Sequence, residues 1–203
     1  MNLFLRAKHW QLFILVFGVP FLLQIVMMLN MVAAINHNRD QAVFITCLKL
    51  FPLLMALFMV TLFGWQWSVA TRLQKALPAR LKMKLSRFKT FFIIPMVYLV
   101  LMMVGITWLF WHGWGFVGSP HLFLLFFTVI FPLHLFCVFS LFYCLYFIAK
   151  TLKTAELQRA VTFNDFAGEF FLIWFFPIGV WFVQPRINKI AADLANGDPV
   201  IKD

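Results

Sequence analysis

Four long apolar runs alternate with short polar connectors along this chain. They cover roughly residues 10–31, 50–69, 91–111 and 122–147. Each reaches the length of about 20 residues that a helix needs to cross about 30 Å of hydrocarbon. The second run extends back toward Ala42, and the fourth is long enough to tilt or protrude. The pattern predicts an all-α, polytopic membrane helix bundle of four transmembrane helices, folded as a single membrane domain over residues 1–203.

A fifth apolar stretch, 166–185, has a different character. Between Glu169 and Gln184 lie fourteen uncharged residues, about 21 Å of helix. Runs of about 10–14 residues are more often re-entrant or interfacial than spanning. Pro177 and Gly179 stand near the middle. Proline removes a backbone donor and clashes with the preceding turn, and glycine tolerates the dihedrals of a tight turn. A reversal at Pro177–Gly179 would return Glu169 and Arg186 to one surface as an ion pair. The alternative is a fifth crossing, because 166–185 counts twenty residues if Glu169 is buried. The polar tail, 186–203, reads as a short amphipathic helix ending at Asn196–Gly197.

Composition removes the soluble classes. Of 203 residues, 64% are hydrophobic and 12% charged, with 28 Phe and 10 Met; the mean hydropathy is +0.91. Soluble domains are usually near 45–50% apolar and about 25% charged. The N-terminal apolar run is longer than the about 7–15 residues of a cleavable leader, and it reads as a retained signal anchor.

A net charge of +10 would suit nucleic acid, but the cations lie in short connectors, so no nucleic-acid partner is expected. Residues 71–90 carry Arg72, Lys75, Arg80, Lys82, Lys84, Arg87 and Lys89 and no acid. Arg6 and Lys8 precede the first run, and Lys150, Lys153 and Arg159 follow the fourth. The rule that basic connectors stay inside places the N-terminus and the 71–90 loop in the cytoplasm. Arg186 and Lys189 favour the same side for the C-terminus, and hence re-entry or inner-leaflet placement of 166–185.

Within the basic loop, Leu73, Leu77, Leu81, Leu85 and Phe88 recur at helical spacing. That spacing suggests an amphipathic helix on an anionic inner leaflet, with the seven cations as lipid contacts. An ordinary positive connector is the plainer reading of the same residues. Trp65 and Trp67 at one interface, and Trp108, Trp111 and Trp114 at the other, fit an aromatic belt. Lys49 falls where its stem would snorkel to the outer interface.

Polar groups at membrane depth are costly and worth naming. Gln24 lies sixteen residues after Lys8 and His134 sixteen before Lys150, a common depth near the midplane. Pro20 and Pro132 lie nearby and would free carbonyls as partners. The specific expectation is a Gln24–His134 hydrogen bond; separate satisfaction of each is the alternative. His134, Cys137 and Cys144 share a helix face, but no further ligand completes a metal site, Cys47 and His112 included. Nucleophile elbow, phosphate loop, zinc-protease and dinucleotide motifs are all absent from the sequence. No catalytic residues, cofactor or metal are therefore expected.

The wording EFFLIWFFPIGVWFVQPRINKI, with the opening LRAKHWQLFILVFGVPF, resembles small uncharacterised bacterial integral membrane proteins. That resemblance implies a bacterial inner membrane and carries no activity with it. The residues favour a non-enzymatic accessory or assembly subunit with a membrane-protein partner or a second copy of itself. A small oligomeric transporter or channel is the alternative, and an interfacial lipid-modifying enzyme centred on Glu169 and Arg186 comes third.

Overall fold

The computed structural model describes residues 3–36, 40–112 and 120–196. It is all-α, with no strand among the described residues. Four stretches are long and apolar enough to cross a membrane: His9–Ala33, Pro52–Lys75, Leu85–Trp108 and Phe126–Leu157. Side chains at Cys47, Lys49, Trp111, His112 and Trp114, and the turn at Gly197, lie outside the described residues.

The chain divides into two compact units, Met1–Met83 with Ile148–Asp203, and Lys84–Phe147. The first unit opens with α1 (Leu3–Arg6) and α2 (His9–Phe13). A π-helical turn at Ile14–Gly18 then leads into α3 (Val19–Asn36). Pro20 explains that turn: its ring would collide with the carbonyl four residues back in a regular helix, and a wider turn absorbs the collision. The same device precedes Pro132, at Phe126–Ile130.

Helix α4 (Asp40–Arg72) packs against both α1 and α3. Phe4 lies over Gly64 so closely that a Cβ there would stand 2.7 Å from the ring. A larger residue there would have to displace the Phe4 ring.

The basic connector is not the amphipathic helix that its leucine spacing suggested beside the plainer reading of an ordinary connector. It forms two short 3-10 turns, Leu73–Lys75 and Ala79–Leu81, separated by Pro78. Proline supplies no N–H and pushes the preceding residue out of the α region. Leu73 and Leu77 are buried in the protein rather than turned outward. Gln74 secures the loop: its Oε1 accepts from Met83 N at 3.1 Å, and its Nε2 donates to Thr151 Oγ1 at 3.2 Å.

The second unit contains α5 (Leu85–His112), α6 (Pro120–Leu125) and α7 (Phe131–Leu157) as far as Phe147. Ring contacts pair Phe88 with Phe147 at 4.9 Å, Phe91 with Tyr143 at 4.9 Å, and Tyr98 with His134 at 5.9 Å. As one partner's number rises the other's falls, so α5 and α7 run antiparallel. Aromatic pairs add about 0.5–1.5 kcal/mol each beyond their burial.

The last ten residues of α7 belong to the first unit. The helix ends at Gln158, whose backbone sits at φ 50°. Its N–H closes on Thr154 O, and its side-chain Nε2 donates to Ala76 O at 3.0 Å. The cost of a left-handed non-glycine residue is about 1–2 kcal/mol, offset here by a bond tying the basic connector to α7.

Helices α8 (Phe163–Trp174) and α9 (Phe176–Asn196) complete the first unit as an antiparallel hairpin.

Candidate functional site

The reversal between α8 and α9 falls at Phe175, with φ −85° and ψ 58°, two residues before the expected bend at Pro177. Pro177 lies in the first turn of α9, where a missing N–H costs no intrahelical bond. Gly179 is helical, and its role differs from the expected turn conformation. A Cβ at Gly179 would stand 1.6 Å from the Leu172 carbonyl oxygen. The glycine is there because α9 crosses the backbone of α8 at contact distance.

The hairpin presents two faces. Phe176, Val180, Val183, Ile187 and Ile190 recur at three- and four-residue spacing and are buried, the stripe expected of a packed helix. Opposite them, Phe175 and Ile178 are 58% and 64% exposed, with Trp181 and Phe182 beside them. From Pro185 onward the exposed residues are Pro185, Lys189, Ala192, Leu194, Ala195 and Asn196, with no further exposed aromatic. The tip lies about 9 Å beyond Glu169 and about 16 Å beyond Arg186 along the two arms at 1.5 Å per residue. Those reaches are about a third to a half of a 30 Å hydrocarbon core.

At the polar base, Arg186 joins two carboxylates. Its Nε and Nη2 donate to the two oxygens of Glu156 on α7, a bidentate fork. Nη2 also donates to Glu169 Oε1 at 2.6 Å. Lys153 Nζ reaches the same Glu169 oxygen at 3.0 Å and lies 3.8 Å from Glu156. Two cations and two anions thus close a neutral network across three helices. Burial would raise the pKa of Glu169, but hydrogen bonds from Arg186 and Lys153 outweigh it and lower that pKa. For Arg186, hydrogen bonding to Glu156 and then Glu169 raises the pKa against the opposing effect of burial.

Helix α8 starts at a second, smaller cluster. Asp165 Oδ2 accepts from Thr162 N at 2.7 Å and Thr162 Oγ1 at 2.9 Å, while Arg159 Nη2 donates to Oδ1 at 2.9 Å. The Thr162 backbone bond, then the Arg159 and Thr162 side chains, hold the Asp165 carboxyl down to about 2. An acid in the first turn also complements the helix dipole.

The third polar centre ties α9 to the N-terminus. Gln184 is fully buried. Its Oε1 accepts from Trp65 Nε1 at 2.7 Å, and its Nε2 faces Phe4 O at 2.8 Å, Ala7 O at 3.0 Å and Asn188 Oδ1 at 2.8 Å. Asn188 Nδ2 donates to Ala7 O at 3.2 Å. Trp65 therefore sits in the core, stacked edge-on against Phe176 at 5.0 Å, and not in an interfacial belt. Burying its ring requires a partner for the indole N–H, and Gln184 is that partner.

The remaining sequence candidates are divided between the two units. Gln24 lies on an exposed turn of α3 in the first unit. In the second unit, His134 Nδ1 and the Tyr98 hydroxyl are hydrogen-bonded at 3.2 Å. Cys137 and Cys144 are buried free thiols on α7. Of the connector cations, Lys75, Arg80 and Lys82 are exposed in the first unit, with Arg72 half-buried at the end of α4. Lys84, Arg87 and Lys89 are exposed in the second.

The sequence marks Lys153 only as a topology charge and Trp65 only as a belt residue, and assigns Glu156 no role. Lys153 and Glu156 at i, i+3 near the end of α7 mark a charged helix face, but nothing local shows that Arg186 would reach it.

Four membrane-length apolar helices and an all-α fold define a multi-pass membrane protein. Compared with models of protein families, with curated proteins and with solved structures, the chain matches none of them.

Proposed function

We propose that this protein is a non-enzymatic accessory or assembly subunit of a bacterial inner membrane, with the N-terminus and the tail cytoplasmic. The α8–α9 hairpin dips into the inner leaflet, its aromatic tip in acyl chains and its ion-paired base at the headgroups. Arg72, Lys75, Arg80, Lys82, Lys84, Arg87 and Lys89 meet anionic lipid on the same side. The exposed outer face of the hairpin and the tail then remain to contact a membrane partner.

The closed Lys153–Glu156–Glu169–Arg186 network carries this reading. Its members spend their charge on one another across three helices. Together with the saturated Gln184 centre, this gives the polar interior a fold-holding role. A catalytic constellation instead leaves a nucleophile, base or donor aimed at an open position.

The test is purification of affinity-tagged full-length protein after in-membrane crosslinking. A stoichiometric membrane partner is the expected result. Substrate flux in proteoliposomes of the protein alone, abolished by His134→Ala, would replace this reading with transport. Outside labelling of a cysteine at Lys202 in intact cells would overturn the re-entrant topology.

A further inference from the structure

The N-terminal elbow contains a groove that the accessory-subunit reading does not use. Helices α1 and α2 meet at an angle around Ala7–Lys8, and beside them runs an open cavity of about 730 Å³. Its lining is mostly apolar: Leu3, Phe4, Trp10, Leu12 and Leu15 contribute, with Arg6 and Gln11 the polar residues among them. Ligand sites commonly enclose about 300–1,000 Å³ with few polar groups.

The elbow is held by structure from outside it. Phe4 is seated on Gly64 of α4. The carbonyls of Phe4 and Ala7 accept from the buried Gln184 side chain of α9. The turn between the helices is closed by Lys8 N donating to Gln11 Oε1 at 2.9 Å. A four-residue helix alone in water would not persist. Holding it in place pre-forms the groove and lowers the ordering cost of an occupant.

Charge selects the occupant. The first 39 residues contain no Asp or Glu, while Arg6 and Lys8 are both exposed at the elbow. The first membrane-length stretch begins at His9, so the elbow stands where headgroups meet acyl chains. An apolar floor with a cationic edge at that level is complementary to one molecule with an apolar tail and an anionic head.

We infer that the elbow groove binds a single anionic phospholipid, one acyl chain along Phe4, Trp10, Leu12 and Leu15 and the phosphate against Arg6. None of the connector cations lines the groove, and the site stands whether or not a protein partner exists.

Trp10 reports on it directly. Full-length protein in detergent is titrated with phosphatidylglycerol or phosphatidylcholine brominated in the acyl chain. The Trp10 signal is the fluorescence lost in Trp10→Phe. Phosphatidylglycerol is expected to quench that signal at about fivefold lower mole fraction, the effect of one cation near a phosphate. Arg6→Gln is expected to bring the ratio to about one, and Arg80→Gln on the connector to leave it unchanged. Equal quenching by the two lipids, no Trp10-dependent quenching, or equal loss of selectivity in Arg6→Gln and Arg80→Gln would each overturn the site. Arg6 is exposed and lacks a core role, and a Leu15→Trp variant that fills the groove gives a second reading. It should abolish Trp10 quenching by both lipids.

Discussion

Gly179 meets the backbone of Leu172 with no room for a methyl group: a Cβ would stand 1.6 Å from the Leu172 carbonyl oxygen. Backbone cannot step aside as a flexible side chain would. Gly179→Ala is expected to force α8 and α9 apart at a cost of about 3 kcal/mol or more. Gly168, on the same hairpin, has nothing within 4 Å of its Cβ position. Gly168→Ala should raise stability by about 0.5–1 kcal/mol. Thermal melts in one detergent compare the two, and a silent Gly179→Ala would refute the close crossing.

Arg186 hydrogen-bonds both Glu156 and Glu169, while Lys153 bonds Glu169 and stands 3.8 Å from Glu156. Truncation of Arg186 leaves two carboxylates facing one cation, Lys153. Removing one partner of a buried pair costs about 3–5 kcal/mol. With 32% of the Arg186 side chain exposed, about 2–3 kcal/mol is expected for Arg186→Ala. Arg186→Lys should recover only part, because an ammonium cannot reproduce the fork on Glu156. Combining Arg186→Ala with Glu156→Gln should cost less than the sum of the two, and strict additivity in the melts would disprove the coupling.

The pH dependence of the α8 start follows from Asp165. Its folded pKa of about 2 lies below the unfolded value of about 3.9. Its contribution is therefore complete above about pH 4 and fades as pH falls toward 2. The melting temperature of the wild type should exceed that of Asp165→Asn by a constant margin from neutral pH to about 4. That margin should shrink in more acid solution. Glu169, also lowered, acts in the same direction, so the experiment is best repeated on the Glu169→Gln background. A margin that persists undiminished at pH 2 would contradict the capping role.

Gln184 tests the attachment of the N-terminus. Gln184→Leu strands Trp65 Nε1 and removes the Gln184 bond to the Phe4 carbonyl, leaving Ala7 O its bond from Asn188, and at about 1–3 kcal/mol for each stranded group at least about 2 kcal/mol should be lost. Gln184→Glu is more telling, because it can still accept from Trp65 while its other oxygen repels the facing carbonyls. Hydrogen exchange over residues 3–8 is expected to accelerate in both variants. Unchanged exchange there would mean that α1 is held by something else.

Much of the architecture was legible because membrane segments are written in composition, and length alone separates a spanning run from a shorter one. The charges bracketing Pro177 pointed toward Glu169 and Arg186, which the structure sets 2.6 Å apart. The reversal itself was displaced to Phe175, because proline and glycine have two uses each. Pro177 is a helix opener here and Gly179 a contact residue, and nothing in the local sequence distinguishes these from turn residues. The leucine spacing at 73–88 misled for a related reason. Periodicity shows that one face is apolar, but not whether protein or lipid covers it, and Pro78 broke the helix that the spacing suggested. Glu156 and Trp65 were hidden because their partners lie 30 and 119 residues away.

The Gln184 bonds to Phe4 and Ala7 join positions 180 and 177 residues apart. A ribosome delivers the elbow long before its fastener. Until α9 is made, α1 has no Gln184 to hold it, and the Trp65 indole has no acceptor there. Helix α9 thus acts as a pin: a chain stopped short of it keeps its four membrane-length stretches yet leaves α1 unlatched. The arrival of α9 is thereby registered at α1.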